Sequence, residues 1–304
     1  MSSTVLFAAP SAQGTGARVH RGYELASRAR HDPLHCLTPG LFRSLKKGER
    51  QKQKLDIRYV FGDASVRFWG PEPLGVDDMR VLQGLVALAS AAHPQRGAEH
   101  IDWLEEAPAT EEGQQLRLLL EPKFDATQAK ALVVRDSYRR LARVIGYEDC
   151  ESGSAFRALR ASIERLWAVS VVVEKSGKRQ GFRILSEYAS DGLQGKLTVA
   201  LNPRLAEAIV GARQYYQLDM EEVRSLRTDC ARLLHQRLHW VNPGRTAKVS
   251  LETMCAYVWP DTSDNAETLK SRRKAVRQAL TNLQELGWSV AEPVRGQLEI
   301  GRPA

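Results

Sequence analysis

Six side chains between residues 267 and 286 have the types and spacing that suit recognition of phosphates and base edges: Lys270, Arg272, Arg273, Lys274, Arg277 and Thr281. At about 100° per residue, Lys270, Arg273, Lys274, Arg277 and Thr281 share one side of a helix. Leu269, Val276, Ala279, Leu280, Leu283 and Leu286 share the other, and Arg272 lies at the apolar edge. The cations crowd the N-terminal half, where the helix dipole is already positive, at a cost of about 0.3–1 kcal/mol per exposed charge. Meeting an anion there removes that cost. An arginine can pair bidentately with guanine O6 and N7, worth roughly 1–3 kcal/mol of base discrimination. A merely solvated face would interleave glutamates, whereas only Glu267 and Glu285 flank this run. The pattern points to a helix pressed into a DNA major groove.

A weaker version lies upstream. Phe156, Leu159, Ile163 and Leu166 make an apolar face, while Ser154, Arg157, Ala161 and Arg165 look outward, with Arg160 near the edge and Glu164 diluting the charge. The segment after it brings Lys175, Lys178, Arg179 and Arg183. These cations suit the sugar–phosphate backbone, whose contacts set position but not sequence. Arg295, in the last turn of the chain, is a further candidate.

Other chemistries fail on their own requirements. His235-Gln-Arg-Leu-His239 lacks the glutamate of H-E-x-x-H, and so lacks its general base. His31, His35 and Cys36 offer three zinc ligands without an evident fourth. The SGKRQ turn has no upstream P-loop glycine and no Ser or Thr after its lysine. Tyr215-Tyr216 has no His-x-His metal site of the kind that nicking enzymes need, and reads as packing. This reading therefore assigns no catalytic residue, no metal and no cofactor.

The elements that must position these side chains follow from local signals. SYRRLARVI, capped by Asp136 or Ser137, stops at Gly146, and SAFRALRASIERLW follows. VSVVVEK and GFRILSEY around SGKRQ make a hairpin. Helix, turn, helix, hairpin is the order of a winged helix. KLTVAL is one more strand, and Asn202-Pro203 starts a new helix. The order then repeats: DMEEVRSLRTDCARLLHQRLHWV as one long helix, SLETMCAYVWP, AETLKSRRKAVRQALTNLQELG, and a hairpin from WSVAE to QLEIGR. IERLWAVSV and LQELGWSVA correspond, which indicates an internal duplication. Upstream, residues 55–60 and 65–69 alternate like a hairpin around Gly62-Asp63, and Asp77 or Asp78 can cap the helix that follows. The expected fold is α+β and mostly helical, with two tandem winged-helix domains. The expected boundaries are a flexible arm over 1–30, a first domain over 31–201 with an acidic insertion around 99–125, and a second domain over 202–304.

Bulk properties agree. The 304 residues are 43% hydrophobic, enough for two cores, and the net charge of +8 favours a polyanionic partner. The run RSLKKGERQKQK, residues 43–54, reads equally as a phosphate-contacting arm or a solvated surface. Residues 99–125 hold eight acids against two bases; they read as a solvated loop or a site for a partner protein. Four scattered cysteines, no apolar run long enough for a membrane and a poor signal-peptide pattern point to a reduced, cytoplasmic protein without membrane contact.

Five segments carry a resemblance: RHDPLHCLTPGLFRSLKKGER, GPEPLGVDDMRVLQGLVALA, KRQGFRILSEYASD, ARLLHQRLHW and CAYVWP. Together, from about His31 to Pro303, they resemble the replication initiator C proteins of IncQ-type broad-host-range plasmids. The resemblance implies a non-enzymatic initiator that binds double-stranded DNA at the direct repeats (iterons) of a plasmid origin. It also implies opening of adjacent A·T-rich DNA, loading of the plasmid's helicase, a primase acting later, and monomers that act on DNA while homodimers or paired complexes restrain replication. The alternative is a winged-helix transcriptional regulator with no role in replication.

Overall fold

The computed structural model describes residues 26–46, 48–92, 132–148, 152–191 and 195–304. The acidic run 99–125 and residues 1–25 lie outside them. Helices and strands carry comparable weight, 43% and 30% of the described residues. The expectation of a mostly helical chain is therefore corrected: four antiparallel sheets were underestimated because several of their strands pair only across long sequence distances.

The first of these is β1 (Arg28–His31), which pairs with β9 (Tyr216–Asp219). Next come α1 (Pro33–Leu37), β2 (Leu55–Phe61), β3 (Ala64–Gly70) and α2 (Val76–Ala92). After β4 (Leu132–Ser137), helix α3 (Tyr138–Val144) starts at Ser137, whose hydroxyl accepts from Arg140 N. The main helix of the first module is α4 (Gly153–Ala168), capped by Ser152. The hairpin β5 (Ser170–Lys175) and β6 (Lys178–Arg183) follows it. Its turn puts both Ser176 (φ 50°) and Gly177 (φ 75°) in the left-handed region, the geometry that matches a two-residue hairpin to strand twist. The strand order β2-β3-β5-β6 shows that the 55–70 hairpin and this one form a single sheet. GFRILSEY does not continue along it. At Ile184 the chain turns away, and β7 (Leu185–Asp191) joins β8 (Lys196–Leu201) and β4 in a second sheet.

Helix α5 (Pro203–Ile209) begins as the Asn-Pro pair dictates, with Asn202 Oδ1 accepting from Leu205 N and its amide donating to Ile184 O. The long helix expected over 219–241 is broken in two: α6 (Met220–Ser225) and α7 (Asp229–Arg237). Asp219 caps the first and Thr228 caps the second, and Leu226 between them is extended (ψ 128°). The apolar period alone hid this restart. The second module is completed by β10 (Thr246–Ser250), α8 (Leu251–Val258), α9 (Ala266–Glu285), β11 (Ser289–Val294) and β12 (Gln297–Gly301).

One apolar core runs through both halves, from Leu34 and Phe68 through Leu82 and Leu141 to Leu234 and Leu283. Helix α2 is its axis. Gly84 on α2 sits so close to α3 that a Cβ there would collide with Ile145 and Leu141. Asp78 at its first turn is fully buried. One carboxylate oxygen accepts from Gly75 N (2.7 Å) and Arg50 Nη1 (2.7 Å), and the other from Arg165 Nε (2.8 Å). Removing one partner of a buried pair costs about 3–5 kcal/mol. Asp78→Ala is accordingly expected to destabilise the protein by that amount, read from the denaturant midpoint; an unchanged midpoint would show that the three groups find water instead.

Candidate nucleic-acid interface

Helix α9 is set by Asn265, whose side chain accepts from Thr268 N at 2.9 Å. It lays Val276, Ala279, Leu280 and Leu283 into the core against α7 and α8. Lys270, Arg273, Lys274, Arg277 and Thr281 are all exposed on the opposite side, as the helical period requires. Arg272 is half-buried; it donates to Asp261 O (2.7 Å) and lies over the Trp259 ring.

Sequence reasoning missed the acids that meet this face, because they come from other elements. Glu252 on α8 contacts Arg273 at 3.2 Å. Glu292 on β11 takes Arg277 through both carboxylate oxygens, at 2.9 and 3.2 Å, and also accepts from Gly296 N. The hairpin turn that carries exposed Arg295 is thus tied to α9. Lys270 and Lys274 have no ion-pair partner among the described residues.

In the first module, Arg157 and Arg160 stand exposed on α4, and Lys178 and Arg179 on β6. Lys175 is exposed and paired with Asp63 at 2.8 Å, because the two turns share one end of the four-stranded sheet. Arg183 lies 4.2 Å over the Trp167 ring. Arg165 does not look outward: its guanidinium turns in to Asp78 and Ser162 Oγ. Of the basic run 43–54, Arg43 and Arg50 are likewise committed, to Asp261 and Asp78.

The histidines weighed as metal ligands do other work. His235 Nε2 lies 2.7 Å from Glu222, and His239 Nδ1 lies 2.7 Å from His235 O, both packed on Trp288. His31 is buried at the end of β1, and desolvation with nearby His35 pushes its pKa down to about 3. Its neighbour Asp32 caps α1 and faces Arg204. No group of three or more possible metal ligands occurs among the described residues.

The family model for replication protein C (RepC) matches residues 23–304. The chain belongs to the replication protein C family. It is a DNA-binding plasmid replication initiator, of a family not known to be catalytic. No curated protein sequence matches it. Its fold is shared with solved structures, among them the following two. Domains 2–3 of RctB align with TM-score 0.53 at 12% identity, covering 86% of this chain and 95% of that one. The Pi initiator protein, solved in complex with iteron DNA, aligns with TM-score 0.51 at 12% identity, covering 91% and 97%. No helix among the described residues is long and apolar enough to cross a membrane.

The Glu292 contact makes a testable acid response in this RepC-family chain. The guanidinium of Arg277, with the Gly296 amide, holds the Glu292 carboxyl down at about 2. A depressed carboxylate favours the folded contact above its unfolded value of 4.5 and loses that contribution as pH falls towards 2. Carbon-detected NMR titration should find Glu292 titrating near 2. In Arg277→Ala the midpoint should return towards 4.5; an unmoved midpoint would assign the shift to another group.

Proposed function

We propose that this protein initiates plasmid replication by gripping directly repeated origin DNA with both helix–hairpin modules. Helix α9 reads base edges in a major groove through Lys270, Arg273, Lys274 and Arg277, with Thr281 and Arg272 beside them, and Arg295 reaches the adjacent backbone. Arg157 and Arg160 on α4, with Lys175, Lys178, Arg179 and Arg183 of the first hairpin, hold phosphates. Arg165 is left out of this surface by its bond to Asp78. The observation that carries the reading is the pair of exposed lysines on the capped half of α9, without an ion-pair partner among the described residues, in a chain of this family. The iteron-bound state of the Pi initiator supports the choice of ligand.

Two modules on one chain raise the effective concentration of the second contact. Adjacent bound copies bend or untwist the array, and deformation energy of several kcal/mol is then available to open a flexible A·T-rich neighbour. The opened segment receives the plasmid's helicase, with a primase acting later, and a homodimeric form restrains the process. The protein itself makes and breaks no covalent bond in this scheme.

Lys270→Glu with Lys274→Glu tests the reading helix without disturbing an ion pair. The double variant should lose preference for the repeat over scrambled duplex in fluorescence anisotropy, with its melting temperature within about 2 °C of the parent (surface changes stay near 0.5 kcal/mol). Retained preference at physiological salt would reject α9 as the reader. Arg179→Ala should weaken all duplexes similarly and lower the salt slope by about one. For opening, permanganate-reactive thymines should appear beside repeats bound by this protein alone; a silent A·T segment would assign melting to another factor.

A further inference from the structure

The four-stranded sheet has an open face of which the duplex reading uses only Arg179 and Arg183, on its β6 edge. Strand alternation puts Asp56, Arg58 and Val60 of β2 on it, beside Ser65, Arg67 and Trp69 of β3. β5 adds Val172 and Glu174, and β6 adds Arg179, Gly181 and Arg183. The opposite face buries Leu55, Val66, Phe68 and Val171 in the core. Four features of the open face need an explanation.

The first is apolar exposure. Val60 (69%) and Trp69 (55%) are two of the four large hydrophobic residues left exposed among the described residues, and a third, Trp167, lies under Arg183 at the sheet's edge. The second is charge. Arg58 stands directly opposite Arg67, a cross-strand arrangement that destabilises a sheet. Asp56 takes Arg67 through two bonds of 2.6 and 2.7 Å. Arg58 and Arg179 have no ion-pair partner among the described residues. The third is shape: Arg58, Ser65, Arg67, Val172, Glu174 and Arg179 line a shallow depression. The fourth is Gly181, opposite Val172. A Cβ there would meet nothing nearer than Val171 O at 4.0 Å, so packing does not demand glycine. A bare strand position does let a ligand approach the backbone closely.

We propose that this face binds single-stranded DNA, with a base stacked on Trp69 and a phosphate held by Arg58. Stacking aromatics beside a cationic track are what a strand with unpaired bases requires. The face measures roughly 14 Å by 13 Å from strand spacing and rise, room for about two or three nucleotides on a four-stranded sheet. Duplex fits poorly. A major groove admits a helix or a two-stranded ribbon, not the flat of four strands, and paired bases offer Trp69 no open ring. The binding stands on the sheet face alone. Its role, holding one strand of the opened A·T-rich segment, rests on the initiator reading above.

The test uses the full chain, a fluorescein-labelled fifteen-nucleotide thymidine strand and a labelled origin-repeat duplex. The parent should bind both. Trp69→Ala should weaken the single strand by about 5- to 100-fold and leave the duplex unchanged, and Trp69→Phe should restore most of the loss. Arg58→Ala should lower the single-strand salt slope by about 0.7. Lys270→Glu/Lys274→Glu should do the reverse of Trp69→Ala, losing the repeat and keeping the strand. The proposal is overturned if the parent does not bind the strand, or if Trp69→Ala binds it as the parent does, as it would were the face a protein-docking surface. Equal loss of strand and duplex in Trp69→Ala would also overturn it. If instead the double lysine variant keeps its repeat preference while Trp69→Ala loses the strand, the duplex reading fails and this one stands.

Discussion

The duplex grip proposed for this protein depends on the two modules sharing one core. Leu82 and Leu85 of α2 belong to the same apolar cluster as Leu234 of α7 and Leu283 of α9. Inside that cluster, Gln83 of α2 donates to Gln236 of α7 at 2.7 Å, with both side chains buried. Buried polar groups of this kind must be satisfied, so sliding the modules past each other would strand two amides. The β1–β9 pairing adds a second tie, and Arg30 and Arg224 donate to carbonyls of Ile209 and Ala26 across it. Under the proposed function, two contact surfaces held in fixed relation favour DNA whose grooves come at one spacing, which is how a rigid core would serve site selectivity.

The charge of the chain is divided by the same logic. A surplus of +8 suggests a uniformly basic surface, yet many arginines point inward. Arg50 and Arg165 converge on buried Asp78, Arg204 faces buried Asp32, and Arg302 donates to carbonyls of His239 and Gln217. A planar guanidinium holds five donors in a fixed fork and closes several such contacts at once, where a lysine ammonium offers three on a flexible stem. The lysines are left at the surface: Lys178, Lys270 and Lys274 are exposed. Counting cations therefore overstates the charge available to a polyanion, because these arginines are turned inward.

This division also explains what was legible in the sequence. Local signals were reliable. Ser137, Asn202 and Gly146 set helix ends where their chemistry requires, and the 3.6-residue period of α9 separated core from cations correctly. What failed were features fixed by distant partners. Arg165 sits at an outward helical angle, but a buried carboxylate 87 residues away draws it in. The break at Leu226 was masked because apolar spacing continued through it. The sheet joining residues 55–70 to the 170–183 hairpin has no local signature, so the mostly helical expectation lost strand content there. Glu252 and Glu292 were invisible as partners of α9 for the same reason.

Those two acids change how the proposed reading helix works. An exposed ion pair such as Arg277–Glu292 contributes about 0–1 kcal/mol, enough to restrain two long side chains but not to lock them. A bidentate guanine contact is worth roughly 1–3 kcal/mol of discrimination, so in the proposed reading a guanine can displace the carboxylate, whereas a base edge without two acceptors gives the arginine no such return. Lys270 and Lys274 have no ion pair to give up among the described residues. In the proposed reading, then, the lysines of this helix reach a base edge without first leaving an acid, and the acid-held arginines add a threshold that a site must exceed.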